Sequence, residues 1–137
     1  MAIDELIENF EFLDSWEERY RLLIDMGRQL PEIPDEARVE DNRVEGCTSN
    51  VWLIHELEAG SPPRLHFKAD SDAFIVKGLI AIILMAYSGR TPDEIRETDI
   101  AALFTRLGLE QQLTPNRRSG FFAMVERINE VAGRNAA

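Results

Sequence analysis

Residues 50–58 read NVWLIHELE, a short run of β-branched, aliphatic and aromatic residues that ends in alternating acids. Gly60, Pro62 and Pro63 then turn the chain into LHFKAD at 65–70, so the spacing predicts a β-hairpin. Side chains alternate along a strand, which puts Val51, Leu53, His55 and Leu57 on one face and Trp52, Ile54 and Glu56 on the other. The first half of this strand is apolar on both faces, and both are expected to be covered. Just upstream, Arg43 and Val44 form a short segment able to pair antiparallel with residues 50–53. That pairing leaves Glu45–Ser49, with Cys47 among them, at the tip of a tight loop.

Helical patterns lie on both sides of the hairpin. Ile3, Leu6, Ile7 and Phe10 repeat at helical spacing, as do Trp16, Tyr20, Leu23 and Ile24, with Ser15 and Glu18 as a capping box. Pro31 and Pro34 end this helical region, and PEIPDEARVEDN at 31–42 reads as an irregular connector. After the hairpin, Asp70, Ser71 and Asp72 offer N-caps for a helix from about Ala73 to Ser88, stopped by Gly89 and apolar almost all round. It is the expected central core helix. Thr91, Pro92 and Glu94 start a short helix ending near Glu97, and Asp99 caps another that runs to Leu107. Thr114 and Pro115 precede a last helix closed by Gly133, with Phe121, Phe122, Val125 and Ile128 as its apolar stripe. This order predicts an α+β fold, a small antiparallel sheet of about three strands packed by helices, as a single domain over residues 1–137.

Composition narrows the functions. With 15 basic against 25 acidic residues the formal charge is −10, and no basic face offsets it, so nucleic acid is not expected as a partner. The longest apolar run, GLIAIILMAY at 78–87, is about half of the roughly 20 residues that cross a bilayer. No membrane association is expected. MAIDELIENF carries acids where a secretory signal carries basic residues, and one lone cysteine does not build a disulfide framework, so the expected setting is the reducing cytoplasm. One Cys and two His, His55 and His66, are too few ligands for a metal site, and His55 reads as a partly buried structural histidine. Glycine-rich phosphate loops, a Gly-x-Ser-x-Gly elbow and a CxxC pair are absent.

The chemistry therefore rests on Cys47. Gly46 before it and Thr48, Ser49 and Asn50 after it are turn formers, whereas a packing cysteine belongs inside an apolar periodic segment. A loop-borne thiol can reach into another protein's active site. A free thiol has a pKa near ~8.5, and Glu45 two residues away opposes its ionisation slightly. Arg43 is the nearest cation in sequence. A strongly activated thiolate needs a further cation supplied by the fold or by a partner.

Three motifs in order now resemble one family: GCTSNVWL at 46–53, SDAFIVKGLIA at 71–81 and LTPNRRSG at 113–120. The chain resembles the SufE family of sulfur acceptors from about Leu6 to Val131. The resemblance implies a fold shared with NifU-like iron–sulfur scaffolds. It implies that Cys47 takes persulfide sulfur from a pyridoxal-phosphate cysteine desulfurase, stimulates that enzyme, and passes the sulfur to an iron–sulfur scaffold protein. It implies an apolar pocket for the loop, for which Val51, Leu53 and the helix from Ala73 to Met85 are candidates.

By the same transfer Arg117 is the cation near the cysteine and Asp72 an acid close to the loop, while Gly46, Thr48 and Ser49 shape the loop. Lys77, inside an otherwise apolar helix, is expected either to reach solvent or to neutralise an acid. The protein so read is a persulfide carrier and desulfurase activator with no turnover and no cofactor of its own, monomeric when free. The alternatives are a desulfurase regulator that acts by docking alone and a cysteine-dependent hydrolase.

Overall fold

The computed structural model describes residues 3–46 and 49–135. Two helices, α1 (Ile3–Phe12) and α2 (Trp16–Arg28), lead to a connector and then to the hairpin of β1 (Val51–Glu58) and β2 (Arg64–Ser71). Five helices follow: α3 (Phe74–Tyr87), α4 (Pro92–Glu97), α5 (Ile100–Arg106), α6 (Leu109–Gln112) and α7 (Pro115–Arg134). The α+β expectation holds. β1 and β2 pair antiparallel from Val51 opposite Ser71 to Glu58 opposite Arg64.

The strand count differs from the expected three. Among the described residues the sheet has two strands, and Arg43 contributes only an isolated bridge to Trp52, beside a Val44 N–H to Val51 carbonyl bond of 2.8 Å. Two features keep this segment from extending. The connector coils into 3₁₀ turns at Asp35–Ala37 and Glu40–Asn42, and Gly46 leaves the extended region with φ of 92°.

α3 is the central helix, in contact with α2, β2, α7 and α1. Leu79, Ile80, Ile82 and Ile83 are all at most 1 % exposed, as the all-round apolar pattern requires. The approach to α2 depends on two glycines. A Cβ on Gly78 would stand 2.7 Å from the Leu23 carbonyl carbon, and one on Gly27 would stand 2.7 Å from the Gly78 nitrogen. At the other end of the core, Phe104 of α5 meets Phe121 and Phe122 of α7 with ring centroids 5.0 and 5.1 Å apart. These tilted and edge-on aromatic contacts tie α5 to α7.

The hairpin's inner face, Val51 and Leu53 with Leu65, Phe67 and Ala69, is buried in the same core. Its outer face is covered only at one end, where the Arg38 guanidinium lies 5.6 Å above the Trp52 ring. Val51–Ile54, the half expected to be covered on both faces, is buried or half-buried, while from His55 to Glu58 β1 is exposed. The His55 ring still packs near Phe67 at 6.4 Å, and partial burial together with Arg134 and Arg127 lowers its pKa.

Beneath Arg38 is a buried carboxylate. Asp70 receives Arg38 Nη2 at 2.8 Å, Lys77 Nζ at 3.4 Å and the Ser71 N–H at 2.8 Å. Lys77 thus neutralises an acid, one of the two roles expected for it. Burial alone would raise the Asp70 pKa, but the Ser71 N–H, Arg38 and Lys77 together outweigh it and hold the carboxyl below its ordinary value. A carboxyl with a lowered folded-state pKa stabilises the fold fully above its unfolded pKa, and that contribution disappears as pH falls through the folded value. Asp70→Asn is expected to cost about 3 kcal/mol at neutral pH, because it leaves Lys77 without a carboxylate and Arg38 with only the exposed Asp35 at 3.6 Å. In urea titrations the gap to wild type should be constant above about pH 5 and close in acid.

Candidate functional site

Cys47 and Thr48 lie outside the described residues, and the site is built from the frame that holds them. On the entering side, Gly46 has a φ of 92°, open to glycine and unfavourable to other residues, and a Cβ there would meet the Ala123 methyl of α7 at 3.2 Å. Arg127, one turn further along α7, donates to the Asp41 carbonyl at 2.9 Å and pins the connector that feeds the loop.

On the leaving side Asn50 joins two elements. Its side-chain carbonyl accepts from Arg43 Nε at 3.3 Å, and its side-chain amide donates to Asp72 Oδ2 at 2.9 Å. The backbone repeats the link to Asp72, with the Asn50 N–H donating to Asp72 Oδ1 at 3.2 Å and the Asp72 N–H donating to the Asn50 carbonyl at 3.4 Å. Arg43 also pairs with Glu40 at 3.4 Å. Both ends of the loop are thereby fixed to β1, to the approach to α3, and to α7.

This arrangement corrects the expected capping of α3. Its N-cap is Ala73, with no side-chain hydrogen bond. Asp70 is held by Arg38 and Lys77, Ser71 Oγ accepts from the Ala73 N–H at 3.2 Å, and the Asp72 carboxylate goes to Asn50. Because β2 runs extended through Ser71, these side chains are set by the strand rather than by the helix.

Ser49, the first described residue after the cysteine, lines a pocket of about 20 Å³ together with Val76 and Leu79 of α3 and Arg117, Phe121 and Met124 of α7. That is room for about one water-sized group. Val76 and Leu79 come from the helix expected to supply the pocket. Val51 and Leu53 are instead buried in the core, and α7 provides the rest of the wall.

The pocket joins the first turns of the two longest helices, Val76 of α3 and Asn116 and Arg117 of α7. Helix N-termini carry partial positive charge, and Arg117 adds a full one; among the described residues no carboxylate pairs with its guanidinium. Such surroundings favour an anionic sulfur over a neutral thiol.

The structure therefore brings Ser49 and Arg117 to one pocket, sets Gly46 against α7, and ties Asp72 to the residue that follows Ser49. Sequence reasoning missed Asn50 as the hub, although it stands inside GCTSNVWL, and missed Asn116, Gly120 and Met124 as pocket wall. Asn116 and Gly120 fall in the LTPNRRSG stretch, so position alone marked them. Met124 gave no signal because it lies off the apolar stripe read for α7.

Fold and frame together define a small α+β protein whose one cysteine lies in sequence between Gly46, in the left-handed region, and Ser49, which lines an electropositive pocket with Arg117. The SufE family, described as an Fe-S metabolism associated domain, matches residues 4–132. An uncharacterized SufE-like protein of Rhizobium etli is 44% identical over 138 residues, covering 99% of this chain and 93% of the relative. Another uncharacterized SufE-like protein, of Rhizobium meliloti, is 42% identical over 135 residues, covering 97% and 96%. A solution structure of a hypothetical protein from Thermus thermophilus shares the fold with a TM-score of 0.76 at 21% identity, over 98% of each chain. The chain belongs to the SufE family and has a role in Fe–S metabolism. Among the described residues no helix is long and apolar enough to cross a membrane.

Proposed function

We propose that this protein is a single-domain sulfur acceptor in the cytoplasm, monomeric when free, that relays persulfide sulfur through Cys47. The Cys47 thiolate attacks the outer sulfur of a cysteine desulfurase persulfide. A new sulfur–sulfur bond forms at Cys47, the old one breaks, and the desulfurase cysteine leaves as a thiolate. The outer sulfur carries its hydrogen across, so atoms and charge balance; Cys47 is oxidised to the persulfide level as the desulfurase cysteine is reduced to a thiolate, and no outside oxidant is needed. Relieved of its product, the desulfurase turns over faster, and the Cys47 persulfide goes on to a scaffold that assembles iron–sulfur clusters.

The observation that carries this reading is the pocket of about 20 Å³ at Ser49, walled by Val76, Leu79, Phe121 and Met124, and charged positively at Arg117. A terminal sulfur fits its size, and a persulfide anion fits its charge. In this reading Gly46, Thr48 and Ser49 shape the loop, and Asp72 bonds to Asn50 at its exit. The direct test is peptide mass spectrometry after incubation with the desulfurase, pyridoxal phosphate and cysteine. A reductant-labile sulfur on the Cys47 peptide supports the reading, and its absence overturns it.

Arg117 supplies a further prediction. Losing a nearby cation raises a thiol pKa by about one unit or more, which lowers the thiolate fraction at neutral pH about tenfold. Cys47 is the only cysteine, so total alkylation reports on it alone. Arg117→Ala should shift the pH profile of iodoacetamide reaction upward and slow sulfur uptake about tenfold, with Arg117→Lys recovering part of both. An unmoved profile would remove Arg117 from the site.

A further inference from the structure

α3 has one residue that its packing does not account for. Of its 14 residues, Phe74 alone is exposed, at 67 %, while its neighbours Ile75 and Val76 are buried. An aromatic ring left in water at the start of the central helix forgoes the burial that every other large apolar side chain of α3 obtains wholly or in part. We propose that Phe74 is the aromatic anchor with which this protein seats the cysteine desulfurase, filling an apolar notch beside that enzyme's persulfide. The inference rests on the sulfur-acceptor reading and adds a partner-binding residue to it.

Continuity with the loop supports this occupant. Phe74 follows two residues after Asp72, no more than about 7 Å along the chain. Asp72 in turn holds Asn50, three residues beyond Cys47. Sulfur transfer requires the two sulfurs to touch, and a standard interface covers about 800 Å² per partner, a disc of roughly 16 Å radius. A patch of that radius centred on Asn50, which Asp72 touches through both backbone and side chain, reaches Phe74. Exposed aromatic residues near the middle of such patches supply a large share of the binding energy.

Charge specifies the rest of the partner's surface. The groove beside the loop's first residues is lined by Glu40, Asp41, Glu45, Glu126 and Glu130 against Arg43 and Arg127. The whole chain carries −10. The matching surface is an apolar notch with a basic rim.

The test measures desulfurase activity against concentration of wild type, Phe74→Ala and Phe12→Ala. Phe12 is the other strongly exposed phenylalanine, at 84 %, and stands at the end of α1 next to the Glu11–Arg106 pair. Phe74→Ala should raise the half-saturating concentration about tenfold, with the maximal rate and Cys47 sulfur uptake at saturation unchanged. Phe12→Ala should follow the wild-type curve, and both variants should melt as wild type does, since neither ring is in the core. If Phe74→Ala also follows wild type while wild type takes up sulfur, the anchor is wrong and the acceptor reading stands. If wild type neither takes up sulfur nor stimulates, both fall. If sedimentation shows a wild-type dimer that Phe74→Ala dissociates, the ring serves a second copy of this chain and the proposal is overturned.

Discussion

Cys47→Ser is expected to abolish sulfur uptake altogether and to return the desulfurase to its unstimulated rate. The reason lies in the nucleophile. Attack on a sulfur–sulfur bond needs a thiolate, and a serine hydroxyl is not ionised near neutral pH and forms no stable bond to sulfane sulfur. With one cysteine in 137 residues no second thiol can substitute. The substitution removes no described contact, because the clasp at the loop's exit is made by Asn50, Arg43 and Asp72, and the hinge at its entrance is Gly46. Melting temperature should therefore stay at the wild-type value, which separates loss of chemistry from loss of fold. Stimulation that survives in the serine variant would establish a regulator that acts by docking alone. Ester or amide hydrolysis by the wild type without a desulfurase, lost in the serine variant, would establish the hydrolase.

Gly78→Ala is expected to give the largest loss of stability from a single methyl group, about 3 kcal/mol, read as a fall in the urea midpoint. The new Cβ would stand 2.7 Å from the Leu23 carbonyl carbon, and backbone cannot rotate aside as a side chain can. α2 and α3 must part, which opens the interface where Leu23 is fully buried. Alanine is otherwise the better helix former by about 1 kcal/mol, so a destabilised variant shows that close approach outweighs propensity here. A variant as stable as wild type would mean that α2 can shift without cost.

Much of this fold was legible because each signal was local. The period of two in NVWLIHELE and the turn at Gly60–Pro63 gave the hairpin, and Thr91, Glu94, Asp99 and Thr114 marked helix starts that the structure reproduces as side-chain caps. The errors came where two elements compete for one side chain. Asp72 has the composition of a helix cap, but Asn50, 22 residues earlier, takes its carboxylate, and only the paired hairpin brings the two together. Arg43 and Val44 have strand character, yet the 3₁₀ turn before them and Gly46 after them leave space for one bridge. The pocket was half visible for the same reason: α3 announced itself by apolar content, whereas Met124 joins the wall only because α7 crosses α3 there.

The pocket at Ser49 has no dedicated walls. Val76 and Leu79 belong to the helix that α2 grips through Gly27 and Gly78, and Phe121 belongs to the aromatic cluster that fastens α5 to α7. A cup cut from the core inherits the core's rigidity, and it also inherits its faults. Any substitution that separates α3 from α7 alters a cavity of only about 20 Å³ before the protein unfolds. If the pocket shelters sulfur as proposed, durability of the fold and shelter of the cargo depend on the same contacts.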